Sequence, residues 1–170
     1  MEIRPAGPED AEAIGRVHAL SRTAAYDGLV PPQALARVTP ESQAAYWAER
    51  LAVEADPHAA YVLVVDGTVE GFALGSGVDR TATLHALHVL PRRHGSGAGR
   101  ALHDRLLDDF AAWGCRTAEL WVLEGNERAQ SFYRRHGWSH DGTRGTHAVG
   151  GVDVPILRYR RPVTTAATHR

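Results

Sequence analysis

The segment TLHALHVLPRRHGSGAGRALHDRLL (residues 83–107) joins a strand-like run, a glycine-rich loop and a helix-like run. Gly95, Gly97 and Gly99 alternate in the loop, and Arg100 follows them. A loop between the end of a strand and the start of a helix presents unpaired backbone N–H groups and the positive end of the helix dipole. We therefore predict that the loop binds phosphate groups. The alternative is a glycine-rich linker that holds no ligand.

The loop matches neither of two common nucleotide-binding motifs. A P-loop requires Gly-Lys followed by Ser or Thr, whereas Gly99 precedes Arg100 and Ala101. The dinucleotide fingerprint G-x-G-x-x-G also fails, because counting from Gly95 or Gly97 leads to Arg100 or Leu102. The predicted phosphate ligand is therefore neither a P-loop nucleotide nor a Rossmann dinucleotide.

Strands and helices are predicted on both sides of this segment. The run AYVLVVDGTVEGFALG predicts a β-hairpin that turns at Asp66-Gly67. The other predicted strands lie at 1–6, 83–89, 117–123, 138–145 and 151–160. The first predicted helix begins at Pro8, and four more lie at 33–37, 41–54, 98–113 and 127–136. Antiparallel strands followed by a strand–helix–strand unit predict an α+β (mixed α/β) fold.

The first helix shows the periodicity of a helix with one buried face. Ile14, Val17, Leu20 and Ala24 recur at helical spacing and predict the side that packs on the sheet. Proline and acidic residues in its first turn suit the helix dipole.

Composition excludes several classes of function. The chain has 170 residues and a formal net charge of −1, so neither nucleic acid nor an anionic membrane is an expected partner. No run reaches the roughly 20 apolar residues of a spanning helix. Cys115 is the sole cysteine, which excludes an intrachain disulfide and fits a reducing compartment. We predict a soluble, cytoplasmic domain.

The histidines do not predict a metal site. The chain contains ten histidines, and they are scattered. His85 and His88 are three residues apart on a predicted strand, where regular alternation directs them to opposite faces. One ion cannot be held by two such side chains, so no metal is expected.

Two long stretches together identify a family. LHALHVLPRRHGSGAGRALHDRLL resembles the acetyl-CoA motif Q/R-x-x-G-x-G/A of the GNAT (GCN5-related) N-acetyltransferase superfamily, and LWVLEGNERAQSFYRRHGW resembles its next motif. IRPAGPEDAEAI is similar to the opening strand and helix of the family. The resemblance covers nearly the whole chain, in order. One position departs from the pattern, because His94 stands where Gln or Arg is usual.

The resemblance implies a fold and a domain layout. The expected fold is a central, mostly antiparallel sheet of six to seven strands, flanked by helices, in which strands four and five are parallel and splayed. Residues 1–162 are expected to form a single acetyltransferase domain and 163–170 a disordered tail. The C-terminal strands are a candidate surface for a homodimer.

The resemblance also implies acetyl-CoA as co-substrate. The loop from Gly95 to Arg100 would bind the pyrophosphate, and the end of the fourth strand would pair with the pantetheine arm as an added strand does. The residues expected to bind the cofactor are Leu87, His88, Val89, His94, Gly95, Ser96, Gly97, Ala98, Gly99, Arg100, Asn126 and Tyr133.

The resemblance assigns two roles in catalysis by direct attack of an amine in a ternary complex. The backbone N–H of Val89 would stabilise the oxyanion that develops on the thioester. Tyr133 would protonate the departing thiolate, since a phenol with a pKa of about 10 can donate to that group. The alternative for Tyr133 is a packed helix aromatic beside Phe132.

The general base is less clearly indicated. Thr83 and Trp121 occupy positions where some members of the family have a glutamate. Strand alternation places Thr83, His85 and Leu87 on one face, which makes His85 a candidate base with an imidazole suited to taking a proton. A histidine satisfied on a half-exposed sheet is the alternative. Glu119 is the second candidate, and an amine that arrives neutral needs no base.

The acceptor is expected to be a small primary amine, such as an amino acid, an amino-acid-like toxin or an antibiotic. A protein or peptide acceptor, and a non-catalytic CoA-binding module, remain as alternatives. Residues 21–38 and the final strands should wall the acceptor site, and its candidate lining residues are Tyr26, Trp47, Trp121, His147 and Asp153.

Overall fold

A computed structural model describes residues 1–52 and 57–164 of the chain, and in these residues seven strands form one sheet. The strands are β1 (Glu2–Pro5), β2 (His58–Val65), β3 (Thr68–Val78), β4 (Thr81–Val89), β5 (Thr117–Leu123), β6 (Ser139–Val149) and β7 (Val152–Pro162). The helices are α1 (Ala11–Tyr26), α2 (Pro32–Leu35), α3 (Pro40–Ala52), α4 (Ala98–Ala112) and α5 (Glu127–Arg135). The end of the helix predicted at 41–54 falls outside the described residues.

The sheet is antiparallel except at one junction. Its strand order is β1-β2-β3-β4-β5-β7-β6. Strands β4 and β5 run parallel and pair from Thr81 opposite Thr117 to Thr83 opposite Glu119, after which both continue without pairing to each other. The strands therefore diverge and leave a gap between them. The mixed α/β fold with a splayed parallel pair is confirmed.

A β-bulge interrupts β4 at His85. Leu74 of β3 pairs with Ala86 and Gly75 pairs with Leu84, so His85 is an extra residue on β4. A bulge shifts the alternation of side chains along its strand. The side chains after the bulge consequently face the opposite way from those that regular alternation predicts.

The bulge corrects two predictions about faces. Leu87 packs in the cluster that includes Leu102 of α4, so it does not share a face with His85, whose ring bonds to Ser76. His88 stacks on Phe72, on the side of the sheet covered by α1 and α3. Because Ser76 and Phe72 belong to the same alternating set on β3, His85 and His88 face the same side, not opposite sides.

Helices cover both faces of the sheet. The larger core lies under α4 and α5; its fully buried side chains include Leu102, Leu106, Phe110, Leu120 and Trp138. The second core lies under α1 and α3; it includes Ile14, Val17, Trp47, Val62 and Phe72. A third cluster joins α2 to the β6–β7 hairpin; it contains Val30, Ala34, Leu123, Val149 and Val154.

The buried face of α1 is partly polar. Ile14 and Val17 are buried as predicted, but Leu20 is 47% exposed and Ala24 is exposed as well. His18 and Ser21 occupy the buried face instead. The prediction for Leu20 was wrong because the helix turns a polar pair toward the sheet, where those side chains have partners described below.

The C-terminal end of the described chain is attached to the sheet. Val163 is 9% exposed and donates its N–H to the Arg116 carbonyl at 2.9 Å. Residues 165–170, which make up most of the predicted tail, lie outside the described residues. Within the described residues, no helix has the length and apolar character needed to cross a membrane.

Candidate active site

A cleft of about 1010 Å³ lies at the gap between β4 and β5. Its walls are the end of β4, the glycine-rich loop, the start of α5 and the last turns of α1. The predicted cofactor residues that line it are Leu87, His88, Val89, His94, Gly95, Gly97, Gly99, Arg100, Asn126 and Tyr133. Sequence-distant residues thus meet at one place because the two strands diverge there.

Two predicted cofactor residues, Ser96 and Ala98, do not line the cleft. The Ser96 hydroxyl donates to the Arg93 carbonyl at 2.6 Å and accepts from the Ala98 N–H at 3.3 Å. Ala98 is completely buried in the core beneath α4. Ser96 is exposed and holds the shape of the loop through these two bonds, whereas Ala98 anchors the start of α4 in the core.

The glycine-rich loop requires glycine for its backbone conformation at two positions. Gly95 has φ +77° and Gly97 has φ +89°, in the left-handed region that favours glycine. A Cβ atom at either position would meet nothing within 4 Å, so dihedral strain and not space selects glycine there. Gly97 is also the N-cap residue of α4, which directs the free N–H groups of the first helical turn toward the loop.

Glu70 attaches this loop to β3. Its carboxylate is 4% exposed and accepts hydrogen bonds from Arg92 Nη2 and Arg93 Nε. The bonds from Arg92 and then Arg93 lower the pKa of Glu70 to about 2. The Leu90 N–H donates to the Glu70 carbonyl at 2.9 Å. We did not predict this clamp; an acid within an apolar strand, followed later by an arginine pair, is the signal that indicates it.

Tyr133 projects from α5 into the cleft. The residue is 8% exposed, and within the described part of the chain its hydroxyl makes no hydrogen bond. Burial raises the pKa of the phenol above its ordinary value. A protonated hydroxyl that faces the cleft without an internal partner is available to a ligand.

The position of α5 is set by polar contacts at its start. Asn126 caps the helix by accepting from the Ala129 N–H at 3.2 Å. Gln130 donates to the Glu124 carbonyl at 2.6 Å and accepts from the Tyr159 hydroxyl at 2.9 Å. These bonds tie α5 to the end of β5 and to β7, which holds Tyr133 at the gap.

Beyond Thr83, the edge of β4 that faces β5 is open. The described residues contain no ladder between β4 and β5 after the Thr83–Glu119 pair, although β4 continues to Val89. An open edge of this kind can add an extended ligand by backbone hydrogen bonds. Leu87 and Val89 lie on this part of β4 and line the cleft.

Neither predicted base lines the cleft. The His85 Nε2 atom lies 2.6 Å from the Ser76 hydroxyl, and burial, followed by the charge of Arg50, lowers its pKa. Glu119 accepts from Arg160 Nη2 at 2.9 Å in a cross-strand ion pair. Both side chains already have hydrogen-bond partners, close to the last residues that pair between β4 and β5.

The imidazole of His88 lies in the cleft instead. We predicted His88 as a cofactor contact on β4 but expected its ring on the other face; the bulge turns it toward α1. Its Nδ1 atom lies 2.9 Å from the Ser21 hydroxyl, which also donates to the His18 carbonyl at 3.4 Å. That second bond favours the tautomer in which Nδ1 carries the proton and Nε2 accepts.

His88 belongs to a chain of polar rings that runs from the core to the cleft. Its ring centroid lies 4.7 Å from that of His18, and His18 Nδ1 accepts from Trp47 Nε1 at 2.9 Å. Burial lowers the pKa of His18 to about 2 and that of His88 to about 3. Both rings are therefore neutral at neutral pH.

The structure changes the argument about metal. His85 and His88 face the same side, so opposite orientation does not exclude a shared ion. Across residues 1–52 and 57–164, no group of three or more His, Cys, Asp or Glu side chains could hold a metal ion.

The proposed lining residues of the acceptor site are separated by the fold. Trp47 is 3% exposed within the core, so the expectation that it lines the site was wrong. Trp121 is 43% exposed on the face of β5 away from α4. His147 Nε2 accepts from Arg22 at 3.1 Å, and Arg22 stacks on Tyr26 at 5.5 Å. Asp153 is exposed beside the β6–β7 turn.

Comparisons with known proteins agree with this geometry. The profile of the Acetyltransferase (GNAT) family matches residues 24–138. An uncharacterised N-acetyltransferase of Mycobacterium tuberculosis is 36% identical over 138 residues, covering 79% of this chain and 86% of the relative.

Two solved structures share the fold. A GCN5-related N-acetyltransferase from Rhodopseudomonas palustris has a TM-score of 0.76 at 20% identity and covers 95% of this chain and 94% of its own. The PaiA N-acetyltransferase of Thermoplasma acidophilum, solved in complex with coenzyme A, has a TM-score of 0.72 at 19% identity and covers 95% and 98%.

Proposed function

The chain belongs to the Acetyltransferase (GNAT) family and is an N-acetyltransferase, and on that premise we propose that it transfers the acetyl group of acetyl-CoA to a primary amine of a small molecule. The observation that carries the proposal is the cleft at the β4–β5 gap, into which the glycine-rich loop, the open edge of β4 and the Tyr133 hydroxyl all face.

The cofactor fits the chemistry of the cleft. The loop from Gly95 to Arg100 offers backbone N–H groups and an arginine for the pyrophosphate. The open edge of β4 at Leu87 and Val89 suits the amide groups of the pantetheine arm. The coenzyme A complex of the Thermoplasma structure supports a CoA site in this fold. Bound acetyl-CoA supplies a thioester carbonyl to be attacked.

We assign the chemistry to groups of this chain as follows. The amine nitrogen forms a bond to the thioester carbon in a ternary complex, and the carbon–sulfur bond breaks. The Val89 N–H donates to the carbonyl oxygen as negative charge develops on it. The Tyr133 hydroxyl gives its proton to the departing sulfur, and its raised pKa keeps it protonated before that step. The proton that the nitrogen loses as the amide forms passes through solvent and restores the phenol.

The attacking amine must be neutral. His85 and Glu119, our two predicted bases, are engaged by Ser76 and Arg160 and lie outside the cleft. His88 Nε2 is an acceptor within the cleft, so we assign it the role of receiving a hydrogen bond from the amine. With a pKa of about 3, the ring orients a neutral amine more readily than it removes a proton from a charged one.

A small acceptor is favoured by the enclosure of the site. The contact between Arg22 of α1 and His147 of β6 extends across the front of β5, because β6 is the sheet edge beyond β7. Such a contact restricts the opening in front of the gap, whereas a folded protein acceptor requires an open groove.

The test follows thiol release from acetyl-CoA with a panel of small primary amines and, in parallel, unstructured peptides. We expect turnover with small amines and little with peptides. Turnover of peptides alone would contradict the small-molecule proposal. Binding of acetyl-CoA without turnover of any acceptor would leave the proposed reaction unsupported and favour a binding role.

A further inference from the structure

Arg22 has an unused hydrogen-bonding capacity. Its Nη2 atom donates to His147 Nε2 at 3.1 Å, and its guanidinium lies 5.5 Å from the Tyr26 ring centroid. Its Nε atom is buried and has no hydrogen-bond partner among the described residues. A buried donor without an acceptor is unfavourable, and such groups are rare in native proteins. The Nη1 atom also has no hydrogen-bond partner among the described residues but is not buried, so an acceptor from outside the chain can reach it.

The charge of Arg22 is also unpaired within residues 1–52 and 57–164. Three arginines of the β6–β7 hairpin have carboxylate partners. Their ion pairs are Arg144 with Glu124 at 2.8 Å, Arg158 with Asp141 at 2.6 Å and Arg160 with Glu119 at 2.9 Å. Arg22, which contacts the same hairpin through His147, has no carboxylate partner among the described residues.

Arg22 lies beside the part of the cleft that contains His88. Ser21, the preceding residue, lines the cleft and contacts the His88 ring. The positive charge of Arg22 is near enough to contribute to the lowered pKa of His88, after burial. The Arg22–His147 contact bridges α1 and β6 in front of β5. A ligand whose amine approaches His88 therefore has Arg22 within reach of its other groups.

We propose that Arg22 binds a carboxylate of the acceptor, which makes the acceptor an amino acid or a close analogue with its carboxylate near the reacting amine. The planar guanidinium fork matches the two oxygens of a carboxylate and forms charge-assisted hydrogen bonds. The accessible Nη1 donors are free to take part, and His147 holds Nη2. This inference rests on the proposed acetylation of a small amine.

The carboxylate would also orient the amine. With the acid group held at Arg22 on α1, the amine of the same molecule is directed toward His88 on β4 and the open gap beside it. When a small acceptor is held at a second point, its binding also fixes the position of the reacting nitrogen. An amine without a carboxylate lacks that second point.

The experiment compares matched acceptors with the full-length protein. L-phenylalanine is paired with 2-phenylethylamine, L-methionine with 3-(methylthio)propylamine and L-leucine with 3-methylbutylamine. Native protein should prefer the acids in kcat/KM by about 10- to 100-fold, the range expected for charge-assisted hydrogen bonds. Arg22→Gln should lose that preference because KM rises much more for the acids than for the amines, and Arg22→Lys should retain part of it.

Arg105→Gln is the matched control. Arg105 stacks over Tyr61 at 4.9 Å, on α4 at the other face of the sheet, so its loss should leave the acid preference intact. Affinity for coenzyme A and the thermal midpoint report whether Arg22→Gln is folded. If the variant is not folded, a second measurement replaces the comparison of variants: inhibition of the native protein by 3-phenylpropionate and by the neutral 3-phenylpropanamide. The acid should inhibit at least about 10-fold more tightly.

The outcomes separate this inference from the proposed function. Equal use of acids and amines by the native protein would overturn the Arg22 assignment and leave small-amine acetylation standing. Acid preference that persists in folded Arg22→Gln would also overturn it, because another group would then bind the carboxylate. Failure of every acid and amine, with coenzyme A still bound, would overturn the proposed function itself.

Discussion

Tyr133 offers the most direct test of chemistry at a single residue. Tyr133→Phe keeps the ring in place and removes only the hydroxyl that faces the cleft. If this hydroxyl protonates the leaving sulfur, kcat should fall by about 100- to 10 000-fold, while KM for acetyl-CoA changes little. Steady-state kinetics with the best amine of the panel measures both.

Tyr46→Phe is the control for the loss of a phenol. Tyr46 lies on α3 and is 48% exposed, so its hydroxyl contributes nothing to the cleft. Native kcat in Tyr133→Phe would refute the role of Tyr133 as acid and return it to a packed helix aromatic beside Phe132.

His18 and His88 predict an acid-sensitive fold. Their pKa values are lowered to about 2 and about 3, whereas an unfolded histidine titrates near 6.5. Between these values the unfolded state binds more protons, so stability is complete above about pH 6.5 and falls as pH decreases toward 3. Each histidine can lower the free energy of unfolding by about 1 kcal/mol per pH unit. The two effects are not fully additive because the rings are adjacent.

Urea unfolding at pH 7.5, 6.5 and 5.5 measures this effect. His18→Gln, which can still accept from Trp47 Nε1, should show a shallower decline than the native protein. Repeating the series at high salt separates buried titration from surface charge, which salt screens. A free energy of unfolding that is flat from pH 7.5 to 5.5 would mean that these rings are not buried in neutral form.

At the scale of elements, the loop before α4 depends on β3. Glu70 holds Arg92 and Arg93, and Arg93 lines the cleft. Glu70→Gln should lower the free energy of unfolding by about 1–3 kcal/mol, because two charged donors lose their carboxylate. It should also raise the dissociation constant of coenzyme A, since the loop is no longer held. Urea unfolding and calorimetric titration measure the two effects.

Glu49→Gln is the control for removing a carboxylate. Glu49 is exposed on α3, so the expected change in stability is within about 0.5 kcal/mol. If Glu70→Gln loses stability but binds coenzyme A as the native protein does, Glu70 supports the fold without positioning the loop.

For the whole molecule, the limit of the folded domain can be tested by truncation. We predict that residues 1–162 form one domain, and Val163 adds a buried side chain and a hydrogen bond to Arg116. A chain that ends at Thr164 should keep the native thermal midpoint. A chain that ends at Pro162 should lose about 2 kcal/mol, the value of a buried valine.

An equal loss of stability in both truncated chains, or no loss in either, would contradict this boundary. Sedimentation of the native chain addresses the predicted homodimer through the C-terminal strands, which stays a prediction.

The sequence by itself determined the elements and their order. Asp66-Gly67 predicted the hairpin turn, and both residues have positive φ there. Backbone chemistry predicted a phosphate-binding loop at Gly95 to Arg100, and the resemblance to the GNAT family implied Tyr133; residues of both line one cleft. The periodicity of apolar residues and the residue types at turns are local features of the sequence, so sequence reasoning predicts them best.

Only the tertiary structure decided which side chains face the gap. The bulge at His85 depends on the register between β3 and β4, and it turns His88 into the cleft. Trp47 is buried because α3 packs on α1. Arg22 contacts His147 because the fold brings α1 and the edge strand β6 together. Register and long-range packing depend on partners far away in the chain, and no local pattern contains them.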